Sequence, residues 1–217
     1  MSYSLNTTIL NPLYKGKAKN AVILCHGYGG DGKDISLLAS YWRTYLPETL
    51  FICPDAPEKC AVSPNGFQWF DLMDQTKEQI LIKSLVAEIK LNKLIDEVMI
   101  KNELNGNQIA LGGFSQGCMI SLQTGIKRKE KINSIVGYSG KIIDVNHLQN
   151  NIVSRPNIIL MHGDKDEIVP ASFLLQAKEF FKKNNYEIET QIFKNCEHRI
   201  PTEGSSLGLK FLKKNLY

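Results

Sequence analysis

Apolar positions along this chain alternate between two patterns. Short β-rich apolar runs occur at Ala21–Cys25, Leu50–Cys53, Ile109–Leu111, Ser134–Tyr138, Asn157–Met161 and Glu187–Phe193, and these read as strands. Between them, helical periodicity covers roughly Asp34–Leu46, Thr76–Lys101, Gln116–Lys127, Ala171–Lys183 and Ser205–Asn215. Thr76 with Gln79 makes a capping box, and Asp34 reads as an N-cap. Asn105-Gly106 offers a left-handed stop before the next strand, whose continuous Ile-Ala-Leu character indicates burial on both faces. Strands alternating with helices predict an α/β fold with a mostly parallel central sheet flanked by helices. No internal repeat, low-complexity tract or linker-like shift divides the chain, so one domain over residues 1–217 is expected. The one long loop, Asp55–Asp71, spans 17 residues and carries Pro57, Pro64, Phe67, Trp69 and Phe70. Loops of that length in compact domains are usually functional.

Composition narrows the class. Of 217 residues, 43% are apolar and 22% charged, which excludes disordered, collagen-like and coiled-coil chains. A domain of this size buries roughly 70% of its unfolded surface and needs no disulfide or metal to hold together. The longest apolar run, Ala21–Cys25, has five residues against the roughly 18 of a membrane span, so no stable membrane insertion is expected. The first residues lack the basic start and apolar stretch of a secretory signal, which points to the cytoplasm. Cys25, Cys53, Cys60, Cys118 and Cys196 are odd in number and form no C-x-x-C pair, which suits reduced thiols. The net charge is +4, and the only dense basic stretch is Lys127-Arg-Lys-Glu-Lys131, so no nucleic-acid partner is expected. A homodimer is left open.

The chemistry begins after strand Ile109–Leu111, where Gly112-Gly113-Phe114-Ser115-Gln116-Gly117 leads into a helix-compatible segment. This is G-x-S-x-G between strand and helix, the setting of a nucleophile elbow. Glycines two residues before and after the serine are needed there because side chains would strike the neighbouring strand and helix. Ser115 is the candidate nucleophile. Strand Ala21–Cys25 runs into the glycine-rich His26-Gly27-Tyr28-Gly29-Gly30-Asp31-Gly32-Lys33, whose main chain can aim an amide at an oxyanion. The expected oxyanion hole combines the N–H groups of Tyr28 and Gln116. Gly27-x-x-x-x-Gly32-Lys33 also matches seven of the eight positions of a phosphate-binding loop, but Asp34 stands where a Ser or Thr hydroxyl would meet Mg²⁺. Nucleotide binding is therefore a remote alternative.

A serine hydroxyl needs a histidine to take its proton and a carboxylate to fix that histidine's tautomer. After strand Asn157–Met161 comes His162-Gly163-Asp164-Lys165-Asp166, and after strand Glu187–Phe193 comes Glu197-His198-Arg199. Both segments follow strands at the edge where ligands collect. His198 is the candidate base, while His147 lies in a polar stretch and reads as solvated. His26 and His162 begin loops and read as bonded to neighbouring backbone. For the acid, Asp164 and Asp166 are both available. Asp166 is preferred because its loop extends further toward His198, leaving Asp164 to organise the turn. Asp164, Asp166 and Glu167 lack the further ligands a metal would need.

Six ordered motifs give a resemblance across nearly the whole chain: His26-Gly27-Tyr-Gly-Gly30-Asp-Gly32, Pro54-Asp-Ala-Pro57, Gln68-Trp-Phe-Asp71, Gly112-Gly-Phe-Ser-Gln-Gly117, His162-Gly-Asp-Lys-Asp-Glu-Ile-Val-Pro170 and His198 near the end. The sequence resembles the phospholipase/carboxylesterase group of α/β-hydrolases, which includes the acyl-protein thioesterases. The resemblance implies that Ser115, Asp166 and His198 form a triad and that Tyr28 and Gln116 supply oxyanion amides. It further implies that Trp69 borders the acyl site and that esters or thioesters are hydrolysed without a cofactor. Two departures stand out: Cys118-Met119 replaces small residues after the elbow, and Glu197 replaces the usual glycine before the histidine. They bear on pocket width and on the base.

Only 18 residues separate Tyr138 from Asn157, where larger relatives of this fold insert a helical lid, so an open site is expected. Phe67, Trp69, Phe70, Met73 and Met119 are candidates to line an apolar acyl groove. Phe70 and Met73 read better as core, and Trp69, in mid-loop, as substrate-facing. Lys210, Lys213 and Lys214 read as a solvated face. The expected activity is a carboxylesterase acting on esters or thioesters with short to medium acyl chains. An acyl-protein thioesterase or lysophospholipase is the alternative, and a non-catalytic hydrolase-fold binding module a remote one.

Overall fold

The computed structural model describes residues 2–73 and 75–217. In chain order the elements are β1 (Thr7–Leu10), β2 (Asn20–Cys25), α1 (Gly32–Arg43), β3 (Thr49–Pro54), β4 (Glu58–Lys59), β5 (Phe67–Gln68), α2 (Lys77–Asn102), β6 (Ile109–Phe114), α3 (Gln116–Lys127), β7 (Ser134–Tyr138), α4 (Val145–Gln149), β8 (Asn157–Gly163), α5 (Ser172–Lys183), β9 (Glu189–Phe193) and α6 (Thr202–Leu216). Seven strands form one sheet in the order β1-β3-β2-β6-β7-β8-β9. All neighbours run parallel except the edge pair β1·β3.

The continuous apolar character of the central strands follows from cover on both faces. Along β2, Ala21, Ile23 and Cys25 join a core shared with α2, α3 and α5, while Val22 and Leu24 join one shared with α1 and α6. Period-two alternation thus divides a single run between two cores. In α2, Ala87, Leu91, Leu94, Ile95 and Val98 are buried, a stripe at helical spacing. Its start is the expected capping box, with both Thr76–Gln79 bonds formed.

Several expectations are corrected. The left-handed residue ending α2 is Glu103, at φ 56° and ψ 41°, and Asn105 instead caps a short 3₁₀ turn, Gly106–Gln108. Gly106 is needed for a close approach: a Cβ there would lie 2.2 Å from the Lys131 carbonyl oxygen. Helix α1 is capped by Asp31, which accepts from Asp34 N–H, so Asp34 belongs to the first turn. The Asp55–Asp71 segment contains the β4–β5 hairpin. His147 is half-buried and 2.9 Å from Lys127 Nζ. The basic stretch after α3 is partly consumed internally, with Lys127 on Glu88 at 2.7 Å and Arg128 on Asp96 at 2.6 Å. The five cysteines are free and buried, and burial pushes the Cys25 and Cys118 thiols up to about 12. Among the described residues, no helix is long and apolar enough to cross a membrane.

Candidate active site

Four strand ends build the site, all at the carboxyl edge of the sheet: β2 leads to His26-Gly27-Tyr28, β6 to Ser115, β8 to Asp166 and β9 to His198, with β7 between β6 and β8. Ser115 has φ 54° and ψ −118°, a conformation that costs a non-glycine residue on the order of 1–3 kcal/mol. The turn is held by Ser115 N–H donating to Tyr138 O at 2.8 Å. A Cβ on Gly113 would lie 2.3 Å from Gly117 backbone atoms, and one on Gly117 would lie 2.0 Å from Cys25 O. The two glycines of the motif are thus forced by helix and strand respectively, and the serine hydroxyl is left above the sheet edge.

The structure brings the three predicted side chains together. His198 Nε2 is 3.0 Å from Ser115 Oγ, and His198 Nδ1 is 2.7 Å from Asp166 Oδ2. The carboxylate's other oxygen accepts from Val169 N–H at 2.8 Å and Ile168 N–H at 3.1 Å. Burial opposes ionisation of Asp166, but hydrogen bonds from His198 and Val169 N–H outweigh it and hold the carboxyl below its usual range. Asp164 lies elsewhere and organises the turn. Its N–H donates to Phe193 O and its Oδ1 accepts from Cys196 N–H, tying the Asp166 loop to the His198 loop. The Glu197-His198-Arg199 sequence makes a tight turn in which Arg199 N–H donates to Glu197 O at 2.8 Å. Phe114 packs on the His198 ring with centroids 4.8 Å apart.

Tyr28 and Gln116 also lie at the nucleophile. Gly27 packs so closely that an added Cβ would be 3.4 Å from Ser115 Cβ. Neither Tyr28 N–H nor Gln116 N–H makes a hydrogen bond among the described residues. Two free main-chain donors beside a nucleophile are what a developing oxyanion requires. His26 anchors this loop: Nδ1–H donates to Gly27 O at 2.7 Å, and Nε2 accepts from Ala56 N–H at 2.9 Å. Those bonds set its tautomer, and burial holds its pKa below the ordinary value. Two features of the same loop oppose a phosphate cradle. Gly32 N–H already donates to Asp55 Oδ1, and Gly32 is pressed against Cys53 O, 2.1 Å from where a Cβ would stand.

A cavity of about 630 Å³ opens beside Ser115, and Met119 and Phe70 stand on its wall. A second cleft of about 370 Å³ is bordered by His198, Arg199 and Asp34, with Tyr28 common to both. Met119 is where the sequence suggested, but Trp69 and Phe67 are not. Trp69 is fully buried, with its indole N–H donating to His26 O at 3.1 Å. Phe67 packs under Lys59 Nζ and borders a separate cavity beside Asp55. Phe70 is core, as read, whereas Met73 is 48% exposed. Cys118 is accommodated by Gly137 and Gly140, where a Cβ would come within 2.4 and 2.5 Å of its sulfur.

One side-chain role near the triad, that of Gln116, lies outside the sequence reading, and His162 bonds neighbouring backbone as that reading expects. The Gln116 side chain, fully buried, accepts from Trp69 N–H at 2.8 Å and donates to Phe70 O at 2.6 Å, pinning the long loop to the elbow. His162 donates Nε2–H to Val169 O at 2.6 Å and lies 3.3 Å from Asp166 Oδ2. Burial keeps its pKa low. No sequence signal marks the Gln116 role, because the G-x-S-x-G pattern leaves the residue after the serine unspecified. Among the described residues, no group of three or more His, Cys, Asp or Glu is placed to hold a metal ion.

Comparison with known proteins agrees with this fold. Residues 9–216 match the family described as Phospholipase/Carboxylesterase. The chain is 31% identical to acyl-protein thioesterase 1 of Saccharomyces cerevisiae, over 92% of this chain and 94% of that protein. The crystal structure of esterase PE8 superposes with a TM-score of 0.92 at 32% identity, covering 98% of this chain and 99% of that one. A carboxylesterase from Mesorhizobium loti shares the fold, with a TM-score of 0.76 at 15% identity over 93% of this chain and 98% of that one.

Proposed function

The chain belongs to the phospholipase/carboxylesterase family and has its α/β-hydrolase fold, and from that premise we propose that it is a serine hydrolase of carboxylic esters and thioesters with short to medium linear acyl chains. The observation that carries the reading is the unbroken relay from Ser115 Oγ through His198 to Asp166, at 3.0 and 2.7 Å, at the mouth of an apolar cavity.

In the proposed reaction, Ser115 Oγ attacks the carbonyl carbon while His198 Nε2 takes its proton. Asp166 holds Nδ1–H and balances the imidazolium. Charge gathers on the carbonyl oxygen, where Tyr28 and Gln116 N–H groups are free to receive it. Collapse expels the alcohol or thiol, protonated by His198. Water, deprotonated by the same imidazole, then releases the acid and restores Ser115. One domain carries every group this requires, and no cofactor enters.

The thioester side of the reading draws on the name of the yeast relative and on the β7–β8 connection, whose only helix is the five-residue α4. A site without a helical lid there can admit a substrate with a bulky leaving group, such as the cysteine thiol of an acylated peptide. Steady-state hydrolysis of p-nitrophenyl esters, acyl thioesters, a lipidated peptide and a lysophospholipid tests the reading. Ester or thioester turnover that Ser115→Ala lowers by at least a thousandfold is expected. Turnover that survives the substitution would refute it.

A further inference from the structure

The cavity beside Ser115 is largely apolar, yet it carries two ammonium groups for which acyl transfer has no use. Lys77, the first residue of α2, and Lys141, in the β7–β8 connection, both line it. Among the described residues, neither forms an ion pair with a carboxylate. Lys141 is half-buried, with Nζ 4.8 Å from the Phe173 ring centroid, so the aromatic face holds it in the cavity wall. Desolvation first, and the Lys77 charge second, depress its pKa. Among the described residues, Asp144 is the acidic group on the same wall; its Oδ1 is occupied in capping α4, accepting from His147 N–H at 2.7 Å. Burying a cation beside a like charge is unfavourable. An anion lodged between the two would relieve both costs.

The relay decides which part of a substrate would carry that anion. His198 must hand its proton to the leaving group, and His198 borders the second cleft with Arg199. The leaving group therefore lies on that side. The acyl chain runs the other way, past Met119 into the cavity that holds the lysines.

Resting on the serine-hydrolase reading, we propose that the preferred acyl groups end in a carboxylate, the substrates being half-esters or half-thioesters of linear dicarboxylic acids whose free carboxylate sits between Lys141 and Lys77. Hydrolysis consumes one water, breaks the acyl–oxygen or acyl–sulfur bond and releases the dicarboxylate and the alcohol or thiol.

The test uses the full chain and compares kcat/KM for the p-nitrophenyl half-ester of suberic acid with that for p-nitrophenyl octanoate, of equal chain length. The ratio of carboxylated to neutral ester is expected to fall at least fivefold in Lys141→Met and Lys141→Gln. It should also fall in Lys77→Met and stay within threefold of wild type in Lys141→Arg. A merely structural role would lower both esters together and leave the ratio alone. A ratio that drops less than fivefold in both Lys141→Met and Lys141→Gln overturns the proposal. So does a selective loss for an octanoate ester with a carboxylate on its phenol, because that would put the anion on the leaving group. If neither ester is cleaved and a fluorophosphonate leaves Ser115 unmodified, the parent reading fails instead.

Discussion

Replacing Gln116 with leucine separates the architecture of the site from its chemistry. The Gln116 side chain is wholly buried and makes two bonds to main-chain groups of the long loop, Trp69 N–H at 2.8 Å and Phe70 O at 2.6 Å. Leucine has similar bulk and can satisfy neither. A buried polar group left without its partner costs about 1–3 kcal/mol. Two such groups, offset in part by apolar burial of the new side chain, give a net destabilisation of about 3 kcal/mol. For a chain of this size that corresponds to a fall in Tm of roughly 6–12 °C. The proposed oxyanion donor at this position is the main-chain N–H, which leucine keeps, so Ser115 should still react with a fluorophosphonate. Guanidinium unfolding of both proteins, with probe labelling of the folded variant, makes the measurement. A loss below about 1 kcal/mol would refute the reasoning that these two bonds fasten the loop to the elbow.

Other consequences follow from the same contacts. Gly117→Ala puts a Cβ 2.0 Å from Cys25 O, so soluble folded protein, judged by circular dichroism, should be largely lost or the elbow displaced with turnover below detection. Trp69→Phe removes the indole bond to His26 O and should cost about 1–2 kcal/mol in unfolding free energy, with KM within about twofold because Trp69 does not reach the cavity. His26 and His162 have pKa values lowered by burial, so they stay neutral in the fold where the unfolded chain's imidazoles take protons. Stability should therefore be full above the unfolded value of about 6.5 and fall below it, by up to about 1.4 kcal/mol per pH unit for each imidazole. Denaturant titrations between pH 8 and 5 measure the slope, and His26→Gln should reduce it.

The relation between sequence and structure is instructive at particular residues. Strands β2, β3, β6, β7 and β8 were legible because each is a continuous apolar run, the signature of burial on both faces. Strand β1 was not. Its four residues are half-exposed or exposed, and its place is fixed by backbone pairing with β3 rather than by any apolar pattern. The five-residue α4 is too short to display a period. Ser115, Asp166 and His198 could be read because steric and chemical demands tie them to fixed places after strands. Trp69 was misread because loop position does not say which way a side chain turns, and here an indole N–H partner lay inside. Gly106 was misread because glycine answers two needs, left-handed backbone and close approach, and the sequence does not tell them apart.

The central claim is that the Ser115 hydroxyl is made nucleophilic by His198. Its most direct measurement is the rate and site of modification by a fluorophosphonate, mapped by mass spectrometry, in wild type and in His198→Ala. A single adduct on Ser115, forming at least a thousandfold more slowly in the variant, is the predicted result. An adduct on another residue, or equal rates in the two proteins, would contradict it.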